Sequence, residues 1–303
     1  MARRFPDTFL CAAPKCATTS LARALGEHPQ IFLPDVKEPN YFNKGYSLAR
    51  VPDLDAYLAL YELALPSQRL LDASILYLHW RTAVPAILRD VPDARFICVF
   101  RPPLDVFLAW HNQLLRIGVE HEYDPERAWD LCAERQRGRF IRCRKESAWL
   151  TAYDQLCLFG DQMQRLLAIV PASHVLVLAY DDVIKTWQTT RERLLAFLEL
   201  PDAPLSLPRL NSGRTPKSIL IDRLRQPIFF YTGRVKKWLR IQRDFGLQTK
   251  FYHLITSPRR AYVPSDAFMR RFEAHVADDL DRLAALTGLR LPVTSMDRDR
   301  QPD

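Results

Sequence analysis

Three short apolar runs, each followed by a helical pattern, most constrain how this chain can fold. They are residues 8–13 (TFLCAA), 95–100 (RFICVF) and 174–179 (HVLVLA). Continuous apolar runs of this length are typical of strands that are buried on both faces of a sheet. Strands that alternate with helices favour a parallel arrangement. The sequence therefore predicts an α/β, P-loop-like fold of three layers, with a mainly parallel central sheet flanked by helices.

The remaining elements follow from hydrophobic periodicity. A short strand is predicted at residues 69–72, and helices are predicted at residues 20–26, 53–63, 82–89, 104–116, 125–137, 149–169, 186–198 and 265–286. Ser265 is the expected N-cap of the last helix, and Gly288 its expected stop. Because no linker composition interrupts the pattern, residues 1–292 are predicted to form a single domain and residues 293–303 a disordered tail.

Composition argues against a membrane-spanning, secreted or zinc-binding protein. No window approaches ~20 consecutive apolar residues, so we expect no transmembrane helix. The first residues lack the apolar core of a signal peptide. The six cysteines show neither CxxC pairs nor zinc-type spacing, which favours a reducing, cytoplasmic compartment; they are Cys11, Cys16, Cys98, Cys132, Cys143 and Cys157.

Positive charge is concentrated in two segments of a chain whose formal net charge is +8. Residues 213–262 contain twelve Lys or Arg and two Asp, and residues 135–145 contain six Lys or Arg and no acid. Such clusters attract polyanions, phosphorylated cofactors or an anionic membrane surface, although a solvated basic face without a partner remains an alternative.

The segment that follows the first strand has the properties of a phosphate-binding loop. It reads PKCATTS, residues 14–20, and lacks the glycines of a Walker A loop. A loop that enters a helix presents unpaired N–H groups to an anion. Thr18, Thr19 and Ser20 add hydroxyl donors and Lys15 adds a cation. The alternative is a strand-to-helix turn in which the threonines only cap the helix.

A second cation follows the strand at residues 95–100. Arg101 stands at the end of that strand and just before a helix, where a guanidinium can hold a phosphate with two forked bonds. The alternative is a surface arginine that pairs with Asp105.

Two motifs then carry a resemblance. The run AAPKCATTSLARAL, followed by HPQIFLPDVKEPNYF, resembles the opening of the PAPS-dependent sulfotransferases, closest to their bacterial and heparan-sulfate-type branch. PAPS is 3′-phosphoadenosine-5′-phosphosulfate. The family loop is roughly P-K-[CAT]-G-T-[TS]-[SA]-L, so this chain departs from it at Ala17. We expect alanine to be tolerated there if its φ stays negative.

The resemblance implies which residues hold the cofactor. Arg101, Pro103 and Asp105 match the family's second signature, whose arginine and serine hold the 3′-phosphate, but the serine position falls on Ala109. A late basic loop closes over the same phosphate in the family. The predicted cofactor-binding residues are Lys15, Cys16, Ala17, Thr18, Thr19, Ser20, Arg101, Arg214 and Lys217.

The resemblance also implies a mechanism, in which a sulfuryl group moves in line from PAPS to an acceptor hydroxyl. Lys15 is expected to stabilise the leaving phosphate, and Glu38 to act as the general base beside Lys37, which contacts the sulfuryl oxygens. His79 and His111 are alternative bases. No metal is expected, and the acceptor is a carbohydrate, glycolipid, peptide or natural product.

Two other functions stay open at this point. A P-loop-like kinase would need a GK[ST] loop and a magnesium-binding carboxylate, and the first is missing. A non-enzymatic polyanion or membrane-surface binder would use the basic residues 214–260, in which the apolar run 227–231 lies beside several cations. We see no nucleic-acid recognition module and predict no nucleic-acid partner.

Overall fold

The sheet of this protein has five parallel strands in the order β2-β3-β1-β4-β5. The computed structural model describes residues 4–43, 51–140, 149–208, 214–216, 256–258 and 262–295. The strands are β1 (Thr8–Ala12), β2 (Ile31–Phe32), β3 (Arg69–Asp72), β4 (Arg95–Phe100) and β5 (Val175–Ala179). β1 lies between β3 and β4, so the three strand ends that precede candidate site residues are neighbours. The predicted α/β fold is confirmed.

The strands form where the sequence supplies continuous apolar side chains. Every residue of β1 is buried, and Phe9 stacks on Phe96 of β4 with ring centroids 5.6 Å apart. Helices follow the strands and share one hydrophobic core with them. They are α1 (Thr18–Gly26), α2 (Leu54–Ala59), α3 (Ala83–Asp90), α4 (Pro103–Ile117), α5 (Pro125–Asp130), α6 (Cys132–Gln136), α7 (Tyr153–Leu156), α8 (Phe159–Leu167), α9 (Tyr180–Lys185), α10 (Trp187–Phe197) and α11 (Asp266–Thr287).

Two helices that the sequence predicts as continuous are broken. The predicted helix 149–169 consists of a 3₁₀ turn at 149–151 and of α7 and α8. The break has a tertiary cause, because the Asp279 carboxylate of α11 accepts the Gly160 and Asp161 N–H groups at 2.7 and 2.8 Å and so caps a new helix start. The predicted helix 125–137 divides at Leu131 into α5 and α6.

The C-terminal helix begins and ends as predicted. The Ser265 Oγ accepts the Phe268 N–H at 3.2 Å, and Gly288 ends α11 with φ of 74°. The predicted start of the tail at residue 293 is wrong. The Leu104 N–H donates to the Val293 carbonyl at 3.0 Å, and Thr294, 2% exposed, donates to Asp105 at 3.0 Å. These polar contacts, which composition does not reveal, extend the packed chain to residue 295.

The long basic segment lies mostly outside the described residues. Two short strands, β6 (Arg214–Pro216) and β7 (Thr256–Pro258), pair antiparallel within it. Lys217 and the rest of residues 214–260 lie outside the described residues.

In the parts of the chain that the structure describes, no helix has both the length and the apolar character needed to cross a bilayer. The five described cysteines are buried free thiols.

Candidate active site

The loop between β1 and α1 has an unusual backbone. Lys15 and Ala17 both adopt left-handed conformations, with φ of 67° and 55°, and the Lys15 side chain is exposed. The condition of a negative φ, under which we expected alanine to be tolerated at position 17, is therefore not met. Turns of this kind present backbone N–H groups to an anion. The first turn of α1 adds hydroxyl side chains and contains no acid.

Arg101 lies beyond the end of β4, next to the β1 loop. Its Nη2 donates to Asp105 Oδ2 at 3.3 Å, and its guanidinium lies over the Tyr180 ring, 4.8 Å from the centroid. The salt bridge with Asp105, which we considered as an alternative role, is thus present. Asp105 is itself held by Thr294, so Arg101 has a fixed position with a quarter of its side chain exposed.

The buried thiol of Cys16 shows how close these groups lie. Burial raises its pKa to about 12, the positive charge of Arg101 opposes this rise and the charge of Asp105 reinforces it. Arg101 therefore lies within electrostatic range of the loop that carries Lys15. A protonated, buried thiol is a poor nucleophile, so the chemical groups of the loop are its N–H groups, hydroxyls and Lys15.

Lys37 and Glu38 form an ion pair between Nζ and Oε1, and both side chains are about a quarter exposed. Glu38 and Asn40 are left-handed, with φ of 57° and 55°. Such conformations are uncommon for residues other than glycine and persist when the surroundings hold them. Here the Asn40 side-chain amide donates to the Glu38 carbonyl at 3.0 Å, and the Asn40 N–H donates to Ser74 Oγ at 2.9 Å.

A buried polar cluster beyond β3 supports this loop. Asp72 Oδ2 accepts the hydroxyls of Tyr57 and Tyr77 at 2.6 and 3.0 Å, and Oδ1 accepts the Ser74 N–H at 2.9 Å. Burial raises the pKa of Asp72, while its hydrogen bonds to Ser74 and both tyrosines lower it. The sequence does not reveal the roles of Tyr57 and Asn40, because their bonds to Asp72 and Ser74 join segments that are distant along the chain.

The two alternative bases lie in different surroundings. His111 is 2% exposed, its Nε2 lies 2.8 Å from the Glu122 carbonyl, and burial lowers its pKa. It is a core histidine. His79 stacks on Trp149 with centroids 5.6 Å apart, and burial, followed by the charges of Arg165 and Arg81, lowers its pKa to about 4. His79 borders a cavity of about 340 Å³, which the sequence did not reveal.

The basic run at residues 135–145 begins with an arginine, Arg135, whose side chain is buried and already paired. Arg135 donates two bonds of 2.8 Å to the Glu120 carboxylate, and these side chains are 7% and 2% exposed. The exposed Arg137 pairs with Glu134 at 2.9 Å. The interpretation of this run as an anion-attracting surface is therefore wrong at Arg135. Residues 141–148 lie outside the described residues.

The sites predicted from the sequence are thus distributed over three adjacent strand ends. The Lys15 loop follows β1, Arg101 follows β4, and the loop of Lys37 and Glu38 is bonded to Ser74 beyond β3. Ligands of open parallel sheets bind at this edge. Ala109 is buried on α4. Arg214 lies in β6, of which the structure describes the backbone, and Lys217 lies outside the described residues.

Comparisons with known proteins agree with this geometry. The model of the sulfotransferase family matches residues 46–204, just over half of the chain. That range includes Arg101 and the cavity at His79, and it begins after Lys15 and Glu38. Among curated proteins, none matches this chain.

Several solved sulfotransferase structures align with this chain, and the first of those described next has a similar fold. A sulfotransferase from Alicyclobacillus acidocaldarius has a TM-score of 0.67 at 20% identity, covering 95% of this chain and 98% of that one. A sulfotransferase domain from the curacin biosynthetic pathway has a TM-score of 0.42 at 15% identity, over 67% of this chain and 77% of its own. A mouse sulfotransferase complexed with PAP has a TM-score of 0.37 at 17% identity, over 66% and 60%. By its match to the family model, this chain belongs to the sulfotransferase family.

Proposed function

We propose that this protein transfers a sulfuryl group from PAPS to an acceptor hydroxyl. The observation that carries the proposal is the left-handed loop with exposed Lys15 at the start of α1, with Arg101 beside it. PAPS has two separate anionic ends, a 5′-phosphosulfate and a 3′-phosphate. Two cationic positions beyond the adjacent strands β1 and β4 suit such a molecule.

The β1 loop is proposed to hold the 5′ end. The N–H groups of residues 16–20 and the hydroxyls of Thr18, Thr19 and Ser20 donate to the 5′-phosphate, aided by the N-terminal dipole of α1. Lys15 lies beside the oxygen that links phosphate to sulfur. As this bond breaks, negative charge grows on the leaving phosphate, and a positioned ammonium stabilises that charge more in the transition state than in the ground state.

Arg101 is proposed to hold the 3′-phosphate. A guanidinium has five N–H donors, and the bond to Asp105 uses one of them. Asp105 and the Tyr180 ring orient the group, which reduces the side-chain entropy that is lost on binding. Arg214 and Lys217, from the late basic segment, are proposed to complete this site. Since Ala109 cannot donate a hydrogen bond, their contribution replaces that of the usual serine.

Glu38 is proposed to remove the proton of the acceptor hydroxyl as sulfur approaches. Its loop is fixed by the bonds of Asn40 to the Glu38 carbonyl and to Ser74, and a general base needs such a fixed position to act. Lys37, which is bonded to the Glu38 carboxylate, is proposed to contact the sulfuryl oxygens. No step of this mechanism uses a metal.

Thermal unfolding with different nucleotides tests the ligand class. PAP, adenosine 3′,5′-bisphosphate, should raise the melting temperature, because a ligand at 100 times its Kd stabilises the native state by about 2.7 kcal/mol. ATP with magnesium should give a smaller shift. A shift with ATP and magnesium alone would instead indicate a kinase-like enzyme. If neither nucleotide shifts the transition, the cofactor site is wrong.

Localisation and membrane contact stay predictions. We expect a cytoplasmic protein whose residues 214–260 touch an anionic membrane surface, because cations and aromatic residues alternate there. Flotation with liposomes of phosphatidylcholine, with and without phosphatidylserine, measures this contact. Binding that requires phosphatidylserine supports it, whereas the absence of binding to both removes it.

A further inference from the structure

We propose that the cavity beside His79 binds the acceptor, and that it selects a ring-shaped molecule with one negative charge. The inference deepens the proposed function and rests on it. The residues that line the cavity include His79, Trp80, Arg81, Trp149, Asp161 and Arg165. At about 340 Å³ the cavity has the size of small-molecule sites in proteins.

Aromatic rings form part of the lining of the cavity. Trp149 stacks on His79 at an interplanar angle of 21°, and the Trp80 ring lies 4.7 Å from Trp149 at 58°. The indole N–H of Trp80 is buried and finds no hydrogen-bond acceptor among the described residues. The ring of an acceptor molecule that enters the cavity packs on the indoles.

The charged residues that line the cavity are proposed to select an anion. Arg165 pairs with Asp161, and Arg81 Nη2 lies 3.6 Å from the same carboxylate. The lowered pKa of His79 leaves its imidazole neutral at pH 7. Two guanidinium groups and one carboxylate leave one positive charge. Arg165 also donates to the Leu78 carbonyl at 3.3 Å and is fixed, whereas Arg81 is 68% exposed and can turn towards a ligand.

A short stretch of chain links this cavity to Ser74, which anchors the loop of the proposed general base. Ser74, which anchors the loop of Glu38, precedes His79 by five residues. Five residues span at most ~18 Å, and the 3₁₀ turn Ile75–Tyr77 shortens that distance. The proposal therefore has the acceptor extend from the cavity towards Glu38. The negative charge then acts as an anchor away from the reacting oxygen.

Calorimetric titration with four probes tests the proposal, with PAP present and absent. The anions are 4-hydroxyphenylacetate, which is aromatic, and glucuronate, which is a carbohydrate. Their neutral counterparts are 2-(4-hydroxyphenyl)ethanol and glucose. Arg81→Gln removes the mobile cation. Arg89→Gln is the matched control, because Arg89 is also exposed and paired with one aspartate, its neighbour Asp90.

We expect at least one anion to bind at least tenfold more tightly than its neutral counterpart. That preference should be lost in Arg81→Gln and kept in Arg89→Gln, and the anion that binds identifies the ring class. Equal affinity for anion and neutral molecule, or no binding of any probe, overturns the proposal. If PAP stabilises the protein but no anion binds, the acceptor cavity is contradicted and the proposed sulfuryl transfer is not. If PAP does not stabilise the protein either, the proposed sulfuryl transfer is itself contradicted.

Discussion

The Asn40 N–H donates a hydrogen bond of 2.9 Å to Ser74 Oγ, and this buried bond joins the loop of Glu38 to the end of β3. Ser74 is oriented in turn by Asp72, whose carboxylate also binds two tyrosine hydroxyls. The position of the proposed base thus depends on a polar cluster in the protein interior. A residue that touches no substrate should therefore affect turnover.

Ser74→Ala tests this dependence. The substitution leaves the buried Asn40 N–H without its acceptor, which costs about 1–3 kcal/mol, and releases the Glu38 loop. We expect a lower kcat for sulfuryl transfer to the best acceptor, with the Kd for PAP unchanged within about twofold. Ser173→Ala, at an exposed serine, is the control. An unchanged kcat in Ser74→Ala would show that the loop keeps its position without this bond.

Ala17→Gly should stabilise the protein. Ala17 has φ of 55°, and left-handed conformations cost an L-residue roughly 1–2 kcal/mol that glycine avoids. We expect the free energy of unfolding in urea to rise by about 1 kcal/mol. Ala274→Gly, on the exposed face of α11, should lower it by about 1 kcal/mol. A loss of stability in Ala17→Gly would contradict the backbone conformation described for this loop.

The buried ion pair between Glu120 and Arg135 predicts a large effect. Burial raises the pKa of Glu120, but hydrogen bonds from Arg135, the Glu122 N–H and Tyr153 outweigh it, so the net pKa is lowered. Arg135→Met leaves that carboxylate buried and unpaired, which should cost about 3–5 kcal/mol in urea unfolding. Arg137→Met, at an exposed pair, should cost less than about 1 kcal/mol. Similar effects at both positions would contradict the burial of Arg135.

His79 predicts a pH dependence of stability. Its pKa falls from the ordinary 6.5 to about 4 in the folded protein, so the unfolded chain binds more protons between these values. Stability should therefore rise with pH from about 4 to 6.5. His79→Phe, which keeps a ring against Trp149, should reduce the difference in melting temperature between pH 4.5 and 6.5. The exposed His275→Gln controls for the loss of one imidazole. An unchanged difference in His79→Phe would contradict the prediction.

The sheet was predictable because local signals and the fold agree. Continuous apolar runs define β1, β4 and β5, and the residues that follow β1 and β4 carry charges that a core strand would not. The loop after β1, which is proposed to bind phosphate, and Arg101 could be located for the same reason. Ser265 and Gly288 also marked the ends of α11, because capping depends on residues next to the helix.

The features that the sequence did not predict depend on contacts between segments that are distant along the chain. Asp279 divides a helix 118 residues away, and Asp105 holds Thr294 across 189 residues. Neither bond can be predicted from the residues next to it in the sequence. The same is true of the cavity at His79, which is formed by residues from two segments of the chain. The sequence could name His79 as a candidate, but only the packing of Trp149, Arg81 and Arg165 around it indicates a site.

The affinity for PAP tests the central claim most directly. Calorimetric titration should give a measurable Kd for the wild-type protein, weakened at least tenfold in both Lys15→Ala and Arg101→Ala. Arg89→Ala and Lys185→Ala, which remove exposed cations elsewhere, should leave it unchanged. Weaker binding in these two variants alone would show that the phosphate groups of PAP bind at Lys15 and at Arg101. Equal affinity in all five proteins, or no binding by the wild type, would contradict the proposed PAPS site.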